Sequence, residues 1–224
     1  MKRIVFLLLA LPLALSAWAQ NSVVERIKNG DKQTIVVYGT SLCALPDGDL
    51  TWPAMLQDSI NRMYPNSVEV INAAQSGMWS TWGVQNLDAR VLEKHPDMVL
   101  IEFGINDAYL PYKTSVETCR INVEYMIDRI QESYPDCEIV LQVMNMPIRE
   151  HLESRPNIEQ YYDVYRKIAR KRKLKLIDHY SYWTEVLEQG EEHFRTYVPD
   201  GLHPKKLAWE TYTVPFILQE LKIR

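Results

Sequence analysis

Short apolar runs alternate along this chain with longer stretches whose apolar residues recur every three or four positions. The short runs are residues 34–38, 68–72, 98–103, 138–143 and 174–177. Each is four to six residues long, rich in Val and Ile and bounded by turn formers. That length and that content predict buried strands. The longer stretches, 51–63, 81–94, 114–133 and 157–173, predict amphipathic helices, and a last one at about 204–222 closes the chain. Pro215 falls inside the last and is expected to kink or split it, because proline lacks the N–H a helix interior needs. Regular strand–helix alternation predicts a parallel sheet covered by helices on both faces. The expected fold class is α/β: one three-layer α/β/α sandwich around a five-stranded parallel sheet. No repeat, low-complexity segment or linker interrupts it. Ligands of such sheets sit beyond the C-terminal ends of the strands, so residues that carry chemistry should follow the strands directly.

Residues 1–19 stand outside this pattern. Lys2 and Arg3 precede an apolar run, 4–17, and Ala17-Trp18-Ala19 places small residues two apart, as signal-peptidase cleavage requires. The run is shorter than the ~20 residues of a membrane span, and no cysteine follows it to carry a lipid. The reading is a signal peptide at 1–19 and a single domain at 20–224, exported to the periplasm or the medium. Cleavage leaves 205 of the 224 residues and, with Lys2 and Arg3 gone, moves the net charge from −4 to −6. No second run is long enough to span a membrane. An acidic chain is not built for general nucleic-acid binding. Three cysteines cannot make a disulfide scaffold. Cys119 sits near the start of the helix predicted at 114–133 and Cys137 just beyond its end, too far apart to meet, so free, buried thiols are expected.

Four short motifs follow predicted strands. Val37-Tyr38-Gly39-Thr40-Ser41-Leu42 places a serine on a tight turn after the first, with its hydroxyl exposed. Asn72-Ala73-Ala74-Gln75-Ser76-Gly77 follows the second, and Gly77 lets a backbone N–H approach a ligand closely. Glu102-Phe103-Gly104-Ile105-Asn106-Asp107 follows the third and offers the Asn106 amide as a donor. Val198-Pro199-Asp200-Gly201-Leu202-His203 sets an aspartate three residues before a histidine, where it can hold one imidazole nitrogen and leave the other as a base. Taken singly, each also suits a plain turn or a helix cap, and Asp107 is the better cap of its pair. Together they supply a nucleophile, a base, an orienting acid and oxyanion donors, which is what acyl transfer needs.

In these motifs, with their order and spacing, the chain resembles the SGNH or GDSL hydrolases from about residue 34 to 210, and His95-Pro96-Asp97 before the third strand is similar too. The resemblance implies a flavodoxin-like hydrolase fold and a serine esterase mechanism. It implies a triad of Ser41, Asp200 and His203 and an oxyanion hole of Ser41, Gly77 and Asn106. It implies no metal and no cofactor, and the five histidines and three cysteines show no metal-ligand spacing. One position departs: the family's first block reads Gly-Asp-Ser, whereas Thr40 stands here in place of the aspartate. Cys43, two residues past Ser41, reads as a small buried hydrophobe rather than a rival nucleophile.

For the substrate, Trp52, Trp79 and Trp82 lie close in sequence to Ser41 and Gly77 and offer indole faces to a sugar ring. Arg149 or Arg155, in the loop after the fourth strand, offers a partner for an acidic sugar. Export also suits an enzyme of extracellular glycans. The expected activity is hydrolysis of short-chain, acetyl esters on carbohydrate through an acyl-serine intermediate. The alternative is a lysophospholipase or a broad acyl-esterase or thioesterase. The partner in either case is a small-molecule or glycan ester.

Overall fold

The structure, a computed structural model, describes residues 22–223. The segment 1–19, expected to be a signal peptide, lies outside the described residues. Five strands form one parallel sheet in the order β2-β1-β3-β4-β5. They are β1 (Gln33–Gly39), β2 (Val68–Asn72), β3 (Met98–Glu102), β4 (Glu138–Val143) and β5 (Lys175–Asp178). All five predicted strands are present, two of them with the predicted bounds. The order reverses between β1 and β3, which puts a topological switch point beside the end of β1.

Side-chain alternation along the strands divides the core in two. Val36 and Tyr38 of β1, Val99 and Ile101 of β3 and Leu141 of β4 share one buried cluster with the helices α4 (Ser80–Arg90), α6 (Val116–Ser133) and α8 (Ile158–Arg172). Ile35, Val37, Met98, Leu100, Val140 and Ile177 face the other cluster. There they meet α1 (Val23–Lys28), α3 (Trp52–Met63), α9 (Tyr180–Glu188), α10 (Glu191–Tyr197) and the C-terminal helical segment. This is the expected α/β/α sandwich. Between the layers, α2 (Ser41–Ala44), α5 (Gly104–Asp107) and α7 (Glu150–Glu153) are single turns at the strand ends.

The last predicted helix is divided, as Pro215 requires. A short α11 (Lys206–Ala208) opens into a π-helical turn at Trp209–Thr213 and re-forms as α12 (Val214–Glu220), with Pro215 in its first turn. The wide turn takes up the place where the proline ring would clash and its missing N–H would leave a gap. Besides the single turns at the strand ends, three helices among the described residues, α1, α9 and α10, stand where no helix is expected from the apolar pattern. All three are short: six, nine and seven residues.

Asp97 registers the sheet. Its Oδ2 accepts from the Thr34 N–H at 2.8 Å, its own N–H donates to the Thr34 carbonyl at 2.9 Å, and its carbonyl accepts from Glu138 N–H at 2.9 Å. One residue therefore aligns the starts of β1, β3 and β4 and fixes how far each reaches toward the opposite edge.

Candidate active site

Ser41 opens α2 immediately after β1. Thr40 caps that turn, its hydroxyl accepting from Leu42 N–H at 3.2 Å. The same hydroxyl donates to Glu102 Oε1 at 2.7 Å, and Thr40 N–H donates to that oxygen at 2.6 Å. Thr40 thus ties the Ser41 turn to the end of β3. An aspartate at 40 would set a second carboxylate against Glu102, so the departure at this position matches its neighbour. Gly39 is required for the approach: a Cβ there would lie 2.5 Å from the Glu102 carbonyl oxygen.

His203 lies 162 positions from Ser41 in sequence, yet its Nε2 is 3.0 Å from Ser41 Oγ. Its Nδ1 is 2.6 Å from Asp200 Oδ2. The other carboxylate oxygen, Oδ1, accepts from the backbone N–H of Leu202 at 2.9 Å and of His203 at 2.8 Å. Partial burial pushes the Asp200 pKa up, but these hydrogen bonds and the imidazole outweigh it and hold the acid down at about 2. Asp200 is therefore a carboxylate at any ordinary pH, oriented by its own loop and aimed at the ring nitrogen remote from Ser41. None of the other four histidines reaches the serine. His95 bonds Tyr134, His179 is buried beside Gln142, His193 packs on Tyr197, and His151 offers its carbonyl to Arg155.

The loop after β4 supports the Asp200–His203 loop. Asn145 Nδ2 donates to the Leu202 carbonyl at 3.0 Å, and Ile148 N–H donates to the Gly201 carbonyl at 3.0 Å. These contacts pass unnoticed in the sequence, because they join segments more than fifty positions apart.

Gly77 follows β2 in a left-handed turn with φ of 74° and is exposed. Its backbone is unhindered on the Cβ side, where the nearest atom is the Tyr112 hydroxyl at 3.7 Å. Asn106 sits in α5, after β3, 5% exposed. Its Nδ2 donates to the Met78 carbonyl at 2.9 Å, and its Oδ1 accepts from Arg155 Nη2 at 3.4 Å. Asp107 is a cap, but of the preceding helix: its Oδ1 accepts from both the N–H and the hydroxyl of Ser80, at 2.9 and 2.8 Å, where α4 begins. The sheet thus brings Ser41, Gly77 and Asn106 to the C-terminal ends of three neighbouring strands, β1, β2 and β3, as the strand-end rule predicts.

The expected substrate contacts are placed differently from one another. Trp52 is a correction: it is 1% exposed in the core and its Nε1 donates to the Leu42 carbonyl at 2.9 Å, so it presents no face to a ligand. Trp82 packs against the core with Tyr38 and Phe103, under the Arg90 guanidinium. Trp79 is half-buried next to the Gly77 turn and stacks on Tyr112 with centroids 4.5 Å apart. Arg149 is exposed and ion-paired with Glu191. Arg155, the other arginine of the loop after β4, is 5% exposed and turned to the protein through four hydrogen bonds. Cys43 is fully buried, and burial together with the Glu102 carboxyl pushes its thiol well above the usual range, which leaves no thiolate to act as a nucleophile. All three cysteines are free and buried. Among the described residues no group of three or more His, Cys, Asp or Glu has the arrangement to hold a metal ion. No helix among them is long and apolar enough to cross a membrane.

The chain is similar to known proteins. The family model described as GDSL-like lipase/acylhydrolase matches residues 34–207. An arylesterase from Vibrio mimicus is 30% identical over 198 residues, covering 84% of this chain and 88% of its own. A lipase/acylhydrolase from Enterococcus faecalis superposes with a TM-score of 0.71 at 28% identity, over 85% of this chain and 95% of that one. An acetylxylan esterase from Geobacillus stearothermophilus shares the fold, with a TM-score of 0.73 at 19% identity over 88% and 96% of the two chains.

Proposed function

This chain belongs to the GDSL-like lipase/acylhydrolase family and is a carboxylic ester hydrolase, and we propose that it acts through Ser41, His203 and Asp200 on short-chain, acetyl esters of carbohydrate. The observation that carries the reading is the relay itself: Ser41 Oγ, His203 and Asp200 in line at 3.0 and 2.6 Å. In this mechanism His203 Nε2 takes the proton from Ser41 Oγ as that oxygen attacks the ester carbonyl. Asp200 keeps the Nδ1 proton in place and stabilises the imidazolium. The N–H groups of Ser41 and Gly77 and the Asn106 amide meet the oxyanion. His203 then returns the proton to the departing alcohol, leaving an acyl-Ser41 ester. Water, deprotonated by the same histidine, releases the acid. Each oxyanion donor supplies roughly 10²–10³ in rate.

A carbohydrate leaving group is supported by the half-buried Trp79, held beside Gly77 by stacking on Tyr112. It is supported also by the acetylxylan ester named for the Geobacillus neighbour and by the signal peptide expected at 1–19, which would take the enzyme out to extracellular glycans. The test is release of acetate from a panel of acetylated plant and bacterial oligosaccharides, run beside release of fatty acid from lysophospholipid. The reading expects acetate from at least one glycan at a higher kcat/KM than for lysophospholipid. Faster turnover of lysophospholipid with no acetate from any glycan would overturn it.

A further inference from the structure

Tyr112, Tyr109 and Arg155 lie outside the proposed triad and oxyanion hole but touch both remote donors of that hole. The Tyr112 hydroxyl donates to the Gly77 carbonyl at 2.5 Å. The Tyr109 ring meets Tyr112 edge-on at 5.1 Å, and the Arg155 guanidinium lies 4.6 Å from the centre of the Tyr109 ring. Leu110 N–H donates to the Ser154 carbonyl at 3.0 Å, which ties the two segments together through their backbones. Arg155 completes the chain by donating to Asn106 Oδ1 at 3.4 Å.

Arg155 is unusual in its own right. It is 5% exposed, and among the described residues no carboxylate forms an ion pair with it. Its other donors go to the Ile105 carbonyl at 2.8 Å, the His151 carbonyl at 3.2 Å and Ser154 Oγ at 3.1 Å. Burying a guanidinium without a counter-charge is costly, and buried charges are ordinarily paired. Here the charge is met instead by neutral oxygens, the side-chain oxygen of Asn106 among them. A guanidinium has only donors, so it accepts no alternative orientation of Asn106: Oδ1 must face Arg155 and Nδ2 must face the other way. One Nδ2 hydrogen then goes to the Met78 carbonyl, and among the described residues no acceptor takes the second. The positive charge behind Oδ1 also polarises the amide and strengthens that donor.

We propose that Tyr112, Tyr109 and Arg155 form a brace that positions both Gly77 and Asn106 as oxyanion donors, Tyr112 through the Gly77 carbonyl and Arg155 through Asn106 Oδ1. They are positioning residues and do not contact the ester. The proposal rests on the assignment of Gly77 and Asn106 as donors to the Ser41 oxyanion.

Steady-state kinetics on a chromogenic acetate ester test it, with Tyr112→Phe and Arg155→Gln in the wild-type and Asn106→Ala backgrounds. Outright loss of a donor costs roughly 10²–10³ in rate, so a misdirected donor should cost about tenfold. Tyr112→Phe should therefore lower kcat about tenfold and leave KM within twofold. Arg155→Gln should do the same in the wild type yet cost nothing further once Asn106 is alanine, because the group it positions is gone. Tyr112→Phe should keep its full effect in that background, since it acts through Gly77. A rise in KM at constant kcat would mean that these residues touch the substrate, and the brace would fail. An equal cost of Arg155→Gln in both backgrounds would also overturn it. If Arg155→Gln does not fold, Tyr112→Phe, which removes a single oxygen, decides alone: a kcat within twofold of wild type rejects the brace. Ser41→Ala, run alongside, separates the two levels. Activity surviving in Ser41→Ala refutes the assignment of the site. A dead Ser41→Ala with an unaffected Tyr112→Phe refutes the brace only.

Discussion

Glu102→Gln should make the protein less sensitive to alkaline pH. Glu102 ends β3 and is 1% exposed. Its Oε1 accepts from the Thr40 N–H, the Thr40 hydroxyl and, at 3.4 Å, the Cys43 thiol, while Oε2 has no hydrogen-bond partner. Burial drives its pKa from 4.5 to about 7, the donors on Oε1 pull it part of the way back, and Asp107 adds a push upward. A raised pKa means that the folded state holds its proton more tightly than the unfolded chain. The associated stability is complete below about pH 4.5 and is lost as pH climbs through about 7. Between pH 5 and pH 8 the loss from this one group is about 2–3 kcal/mol. In a domain of this size that corresponds to roughly 5–10 °C in Tm. Glutamine keeps an oxygen for Thr40 and cannot ionise. It places an amide where Oε2 lacked a partner, a cost of about 1–3 kcal/mol that does not change with pH. The assay is urea unfolding of wild type and variant at pH 5 and pH 8. The gap between the two should move by about 2–3 kcal/mol in favour of the variant at pH 8. Asp107, pushed up to about 6 chiefly by burial, slopes the same way in both proteins. Parallel pH profiles would refute the reasoning.

Other consequences are open to direct measurement. Asp200→Asn keeps an oxygen for the Leu202 and His203 N–H groups but turns an amide toward His203 Nδ1, which favours the wrong tautomer. It should lower kcat roughly 10³–10⁴-fold with little change in Tm, and near-normal kinetics would rule out the assigned role. Trp52→Ala empties a fully buried site and removes the bond to the Leu42 carbonyl, so urea unfolding should show a loss of about 3–5 kcal/mol. A neutral result there would contradict its placement in the core. Thermal melting should be the same with and without a thiol reductant, because Cys43, Cys119 and Cys137 are unpaired. A lower Tm under reducing conditions would reveal a disulfide.

The sheet was legible because each strand declares itself locally. Val68–Asn72 and Glu138–Val143 have the bounds that their runs of Val and Ile set, with turn formers on either side. The motif residues were legible for a related reason: a parallel sheet gathers its strand ends, so a serine, a glycine and an asparagine each just past a strand must converge. Short helices were not. In α9 and α10 only Trp183, Val186 and Phe194 are buried, too few for a helical period to stand out against the charges around Gly190. Their stability comes from packing rather than from local preference. The aromatic residues were the least legible, since an indole in a core helix and one at a cleft have the same neighbours in sequence. Trp52 and Trp79 differ only in what the fold sets beside them: the Leu42 carbonyl for one and the Tyr112 ring for the other. Glu102 and Arg155 acquire their meaning from Thr40 and Asn106, which lie 62 and 49 positions away.

Catalysis as proposed rests on Ser41 carrying the acyl group, with His203 as its base. Its most direct test is mass spectrometry of the wild-type, Ser41→Ala and His203→Ala proteins after exposure to a fluorophosphonate, with hydrolysis of a short activated ester measured on the same samples. One adduct is expected on the wild type, located at Ser41. No adduct is expected on Ser41→Ala, with strongly slowed labelling of His203→Ala and no measurable turnover by either folded variant. An adduct on another residue, or near-wild-type turnover by Ser41→Ala free of contaminating esterase, would contradict that role of Ser41.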